Sequence, residues 1–210
     1  MDSLEKCFKN VENPTEEKAS VVLGNSITVD ELINIFKIKD GKILGVVDKD
    51  GHIEWNEKKF MEKCEVLQSY TVERKILNEF ISYTRKNIDF SSRTNLLGVG
   101  AIISVLVQIL YDKGENYFKF GDVIANGFCS FLKGKEKNKI WIHVDKLYGE
   151  GCLFGAQNVI FDVDALYGND HANMIKNCII TVDVFSGESF CNVNFNSYYC
   201  IKRKLKSFKN

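Results

Sequence analysis

Proline occurs once in the 210 residues, at Pro14, so nearly every turn has to be made by Gly, Asn or Asp. No sign of charge dominates either. The 28 basic residues balance 28 acidic ones, which removes the electrostatic footprint of a nucleic-acid or anionic-membrane binder. Cys7, Cys64, Cys129, Cys152, Cys178, Cys191 and Cys200 are odd in number and contain no CxxC pair. A disulfide framework, thioredoxin-like chemistry and the usual zinc ribbons are therefore excluded. The start, MDSLEKCFKN, has no basic flank leading into an apolar core, so it does not read as a secretory signal and a cytoplasmic or otherwise intracellular protein is expected. No GxSxG, GxxxxGK or HExxH is present, which removes the commonest hydrolase, P-loop and zincin signatures. A bilayer span is missing too. The longest apolar run, residues 96–110, would extend roughly 22 Å as a helix, against about 30 Å of hydrocarbon.

What is present is ordinary globular material, 45% hydrophobic and 27% charged. Residues 1–20 are polar and read as a flexible N-terminal segment. Thr28 and Glu31 form a capping box for a helix over 29–37. Two apolar runs around Asp50-Gly51 predict a hairpin within 42–55. Helices are expected at 57–68, capped by Asn56, at 72–86 and at 93–111. The last is apolar all round, which suits the centre of a core. Its Gly98 and Gly100 mark places where another backbone comes close. A further helix is expected at 122–132, with KGKEKNK (133–139) as a linker.

From residue 139 the pattern becomes β-branched and aromatic, and it repeats. IHVDKLYG (142–149), FDVDALYG (161–168) and ITVDVFSG (180–187) align at a spacing of 19. Asp145, Asp164 and Asp183 share a column, as do Val144, Val163 and Val182, and also Gly149, Gly168 and Gly187. Asn158, Asn177 and Asn196 fall in phase, and SYYCIKRK (197–204) is a degenerate fourth strand. Such a period builds either an antiparallel sheet or a solenoid of stacked coils. Stacked coils would bring the three Asp side chains about 4.8 Å apart, where like charges repel unless a cation intervenes. The expected fold is therefore α+β: a helical part (21–138) packed as one cooperative unit on a C-terminal, mostly antiparallel β-sheet (139–210) of three to four 19-residue repeats.

The β-rich part carries the candidate chemistry. Residues 139–200 hold three basic and seven acidic groups, whereas 201–210 hold five basic groups and no acid. Tyr148, Glu150, Phe154, Tyr167 and Phe185 suit an acidic, aromatic face that binds or inhibits a basic protein partner. This non-enzymatic reading, with no cofactor, is the favoured expectation. Immunity proteins and viral antagonists are examples of its kind. The alternative is a metal-dependent hydrolase or nuclease. Asp145, Asp162, Asp164 and Asp170 are its candidate metal ligands, and His143, Cys152 and His171 its catalytic candidates. A weaker alternative is nucleic-acid binding by the basic tail. Asp48 to Phe60 is similar to an EF-hand loop, but two residues are missing and Ile53 stands where Gly is required. NVIFDVDALYG (158–168) resembles the first motif of the haloacid-dehalogenase-like phosphohydrolases. That resemblance implies Asp162 as nucleophile and Asp164 as acid/base beside magnesium. It covers about ten residues, has Ala165 where the motif prefers Gly, and leaves too little chain after it for the family's remaining motifs.

Overall fold

The computed structural model describes residues 25–36, 45–47 and 53–205, of which 45–47 and 53–55 are described as backbone alone. The N-terminal segment 1–20, the Asp50-Gly51 turn and the end of the basic tail lie outside the described residues. Helix α1 (Val29–Phe36) begins as the capping box requires. Thr28 Oγ1 accepts from the Glu31 N–H at 3.2 Å, and the Glu31 carboxylate accepts from the Thr28 N–H at 2.8 Å. Strands β1 (Gly45–Val47) and β2 (Ile53–Trp55) pair antiparallel, as a hairpin demands. Asn56 Oδ1 accepts from the Lys59 N–H and starts α2 (Glu57–Gln68). Helices α3 (Arg74–Asn87) and α4 (Arg93–Asp112) follow.

Helix α4 is the centre of the molecule. Helices α2 and α3 pack on it, turning inward Phe60, Cys64 and Leu67 from the first and Ile76, Leu77 and Phe80 from the second. Its own residues are buried without a break from Leu97 to Tyr111. An all-round apolar helix needs cover on every side, and the remaining cover is the sheet. Among the described residues this is the one helix apolar and long enough to be compared with a membrane span, and most of it is buried inside the fold.

The sheet corrects the expectation of antiparallel strands. Strands β3 (Tyr117–Ile124), β4 (Ile140–Tyr148), β5 (Val159–Tyr167), β7 (Ile179–Ser186) and β9 (Tyr198–Leu205) are all parallel, in chain order. Short β6 (Ile175–Lys176) and β8 (Asn194–Phe195) make a second parallel pair. The chain is a β-solenoid whose coils repeat every 19 residues: Val144 stacks on Val163, Val163 on Val182, and Val182 on Ile201. A second correction concerns 122–132, expected to be a helix. The solenoid already begins at Tyr117, with Phe120 on Val144 at an offset of 24. The residues read as a linker lie inside this longer first coil, where Lys135 and Asn138 form an isolated antiparallel bridge.

Parallel strands need a return connection, and here it is built from left-handed backbone. Cys129, Leu153, Ala172 and Cys191 occupy one column and all have φ between 55 and 61°. Asn158, Asn177 and Asn196 form another, at 54, 52 and 48°, which suits Asn best among non-glycine residues. Alternating left-handed residues aim successive N–H groups at opposite neighbours. Leu153 donates back to Phe128 O at 2.8 Å, while Gly151 and Gly155 donate forward to Asn169 O and Asn173 O at 3.0 Å. The polar backbone of the return is thereby satisfied coil to coil. The Asn177 side chain donates to Asn158 Oδ1, and Asn158 donates on to Gly134 O.

Among the described residues no coil precedes the first, and α4 takes that place. Asn126 N donates to Leu96 O at 3.1 Å. Gln108 Oε1 accepts from Lys133 N at 2.8 Å, and its Nε2 donates back to Lys133 O at 3.3 Å. Tyr111 Oη accepts from Lys135 N and donates to Asn138 O. A Cβ on Gly100 would collide with the Asn126 carbonyl, so Gly100 does mark a close backbone approach. The glycine column has the same cause. A Cβ at Gly168 would overlap the Gly149 carbonyl oxygen, and its φ of +123° is itself disfavoured for other residues.

We predict that Gly168→Ala lowers stability by about 3 kcal/mol, read as a fall in the midpoint of thermal or urea unfolding. Gly121→Ala, where a Cβ meets only side-chain atoms at 3.6 and 3.9 Å, should cost less than about 1 kcal/mol. Equal midpoints for Gly168→Ala and wild type would show that the coils are not in backbone contact.

Candidate metal centre

The inward alternation of each strand is interrupted once. In β4, Ile142, Val144 and Leu147 are buried while Asp145 and Lys146 both face outward. The outer face therefore carries two neighbouring columns of polar side chains. One runs Lys119, His143, Asp162, Thr181 and Cys200, residue against residue. The other holds Asp145, Asp164, Asp183 and Lys202, with Gly121 in the first coil next to Asp145. Parallel stacking brings together groups that lie 19 residues apart in the chain.

His143 stands between two carboxylates. Its Nδ1 lies 3.0 Å from Asp162 Oδ2, and its Nε2 lies 3.3 Å from Asp145 Oδ1. Donor atoms of His143, Asp145 and Asp164 all fall within 4.8 Å of one another. Ligands of one tetrahedral zinc, at bond lengths near 2.0 Å, sit roughly 3.3 Å apart, so a small closure would seat an ion. The His143 side chain keeps 19% of its exposure, and those of Asp145 and Asp162 keep 46% and 40%. The site is open to solvent at one side.

The three stacked aspartates answer their mutual repulsion unequally. Asp183 is ion-paired with Lys202 at 2.7 Å, and this pairing raises the Lys202 ammonium above its ordinary pKa. Asp145 faces His143. Asp164, between them, is exposed and makes no hydrogen bond or ion pair with another described residue. If Nδ1 carries the proton and donates to Asp162, the Nε2 lone pair is left toward Asp145. A carboxylate that orients a ligating imidazole in this way is a recurrent support of metal sites.

The remaining candidates lie elsewhere. Asp170 is exposed in a left-handed position (φ 60°) at the start of a return. Cys152 and His171 share an inward column with Phe190, away from the carboxylates. Burial pushes the Cys152 thiol up to about 12, the opposite of an activated nucleophile. His171 is 1% exposed, edge-on to Phe185, with neither ring nitrogen hydrogen-bonded among the described residues. Burial lowers its pKa to about 4, against a smaller raising effect of the nearby Gly168 backbone. Of the proposed interaction residues, Tyr148 and Tyr167 stack on the outer face at 4.7 Å. Glu150 is paired with Arg93, Phe154 is half-buried against Phe131, and Phe185 is fully buried.

Gly121 and Lys202, which bound the carboxylate column, were not singled out in the sequence. Lys202 was legible, since it falls 19 residues after Asp183. Gly121 was hidden by the longer first coil. No family model matches the chain, no curated protein is significantly similar to it, and no solved structure is either.

His171 generates a pH dependence. Its folded pKa of about 4 lies below the ordinary 6.5, so between those values the unfolded chain binds a proton that the folded chain refuses. Stability should fall as pH drops through this window, by about 3 kcal/mol at pH 4. His171→Phe, which copies Phe190 one coil on, should flatten that part of the profile in urea titrations at pH 7 and pH 4.5. An unchanged slope would mean that the ring is protonated without cost.

Proposed function

We propose that the outer sheet face binds one divalent cation through His143, Asp145 and Asp164, and that the protein is a metal-dependent hydrolase acting at that ion. The observation that carries the reading is the exposed Asp164 carboxylate. It has no protein partner among the described residues, and its donor oxygen lies within 4.8 Å of those of His143 and Asp145. A nitrogen and two carboxylate oxygens suit Zn, Mn or Mg. Three protein ligands leave coordination positions for water and substrate. A bound cation brings the pKa of such a water toward neutrality and polarises a carbonyl or phosphoryl oxygen. Asp162 would hold the tautomer and orientation of His143 through its 3.0 Å contact. The exposure of the carboxylates supports access by substrate from the sheet face.

A second reading keeps this face as an interaction surface for a basic protein. The stacked Tyr148 and Tyr167, close to the carboxylate column, support it. It needs no metal, and its complex should weaken with salt.

Calorimetric titration with Mn²⁺ or Zn²⁺ separates the two. The metal reading expects one site per chain, weakened roughly 10- to 100-fold by Asp162→Asn and lost in His143→Ala or Asp164→Asn. Asp183→Asn should change it little, because that carboxylate is held by Lys202. Metal-stimulated hydrolysis of bis(p-nitrophenyl) phosphate should follow the same order. Binding that survives Asp164→Asn unchanged, or no saturable binding, would sink the metal reading.

A further inference from the structure

The two ends of the solenoid are finished differently. The N-terminal end is closed by α4. At the C-terminal end, among the described residues, β9 pairs only with β7. Tyr198 donates its N–H back to Cys178 O at 2.9 Å. In a parallel ladder alternate residues turn their N–H and C=O to opposite sides, so Tyr199 and Ile201 present theirs to the open edge. The inward columns are uncovered there too. Ile180 and Val182 are buried at 1% and 0%, whereas Tyr199, next in the column after Ile180, is 52% exposed and Ile201 is half-buried. Val193, Phe195, Tyr198 and Leu205 are exposed at the same end. Among the described residues nothing lies over this surface.

We propose that this open end is a docking edge for an acidic, extended segment of another protein, which adds to β9 as one further rung. Addition of a strand satisfies the free backbone groups and covers Tyr199 and Ile201. Charge selects the occupant. Between Asn194 and Leu205 the chain carries Lys202, Arg203 and Lys204 and no acidic residue. Lys202 is shared with Asp183, Lys204 lies over the Phe185 ring at 5.5 Å, and Arg203 makes no ion pair or hydrogen bond with another described residue. A rung bearing outward carboxylates faces Lys202 and Arg203 with opposite sign. A second copy docked end to end would set the same three cations against themselves, which disfavours self-association at this edge. The proposal is independent of the metal centre, whose ligands lie on β4 and β5.

The test uses the full chain without added metal. A fluorescein-labelled peptide of about eight residues, alternating Glu with Val and Tyr, matches the length of β9. Anisotropy should show saturable binding that weakens roughly tenfold in Arg203→Glu/Lys204→Glu and for a peptide with Lys in place of Glu. Circular dichroism of the double variant confirms that it is folded. Hydrogen exchange should show the Tyr199 and Ile201 amides slowed by the Glu peptide. Equal binding of the Lys peptide overturns the proposal. So does protection of those two amides before any peptide is added, whether in a dimer seen by light scattering or in a monomer whose own chain covers the edge.

Discussion

Backbone contact between successive coils is the constraint on which the rest of this structure depends. At Gly149, Gly168 and Gly187 a coil approaches its neighbour so closely that no Cβ fits. The returns are threaded by hydrogen bonds running alternately up and down, from left-handed positions that repeat in register. Each residue held at φ near 55–60° costs roughly 1 kcal/mol or more in isolation. These conformations persist because the stacked coils accept the N–H groups they redirect, as at Leu153, Ala172 and Cys191. A single coil could not hold itself in this shape, so the solenoid is stable as a stack with a protected end.

The protected end is supplied by α4, and this gives the helical part its role. Gln108 behaves toward Lys133 like a missing coil, offering both an acceptor and a donor. Gly100 allows the contact, and Tyr111 closes the far side by the same exchange of donor and acceptor with Lys135 and Asn138. Arg74 ties α3 to the first coil, donating to Glu115 and Tyr117 O and lying over the Phe118 ring at 4.7 Å. Helices and solenoid therefore share one core.

Strict stacking also creates the chemistry. It places like residues over like, which is favourable for Val and Asn and unfavourable for Asp. The column of Asp145, Asp164 and Asp183 is relieved at one end by Lys202, while at the other end Asp145 faces the His143 ring. Asp164 remains, beside an imidazole already gripped from behind by Asp162. The outer face thus differs in kind from the inward Cys152–His171–Phe190 column, where burial holds both titratable groups neutral.

Much of the local structure was legible in the residues themselves. Thr28 with Glu31, and Asn56 before α2, announce helix starts because their side chains can reach the free N–H groups of the first turn. The 19-residue period, the Asp, Val, Gly and Asn columns, and the placement of α4 in the core were legible for the same reason. Strand direction was not. A period fixes which residues are equivalent but not whether equivalent strands run together, and the repulsion expected among stacked aspartates pointed to the wrong answer. Only the tertiary structure shows Lys202 standing where that repulsion is relieved, against Asp183. It also decided that 117–139 forms a first coil, because the longer spacing from Phe120 to Val144 conceals the repeat and α4 replaces the coil that would have revealed it. His143, Asp145, Asp162 and Asp164 were each named from the sequence as candidates. Their convergence depends on parallel stacking, which turns 19 residues of chain into the width of one strand.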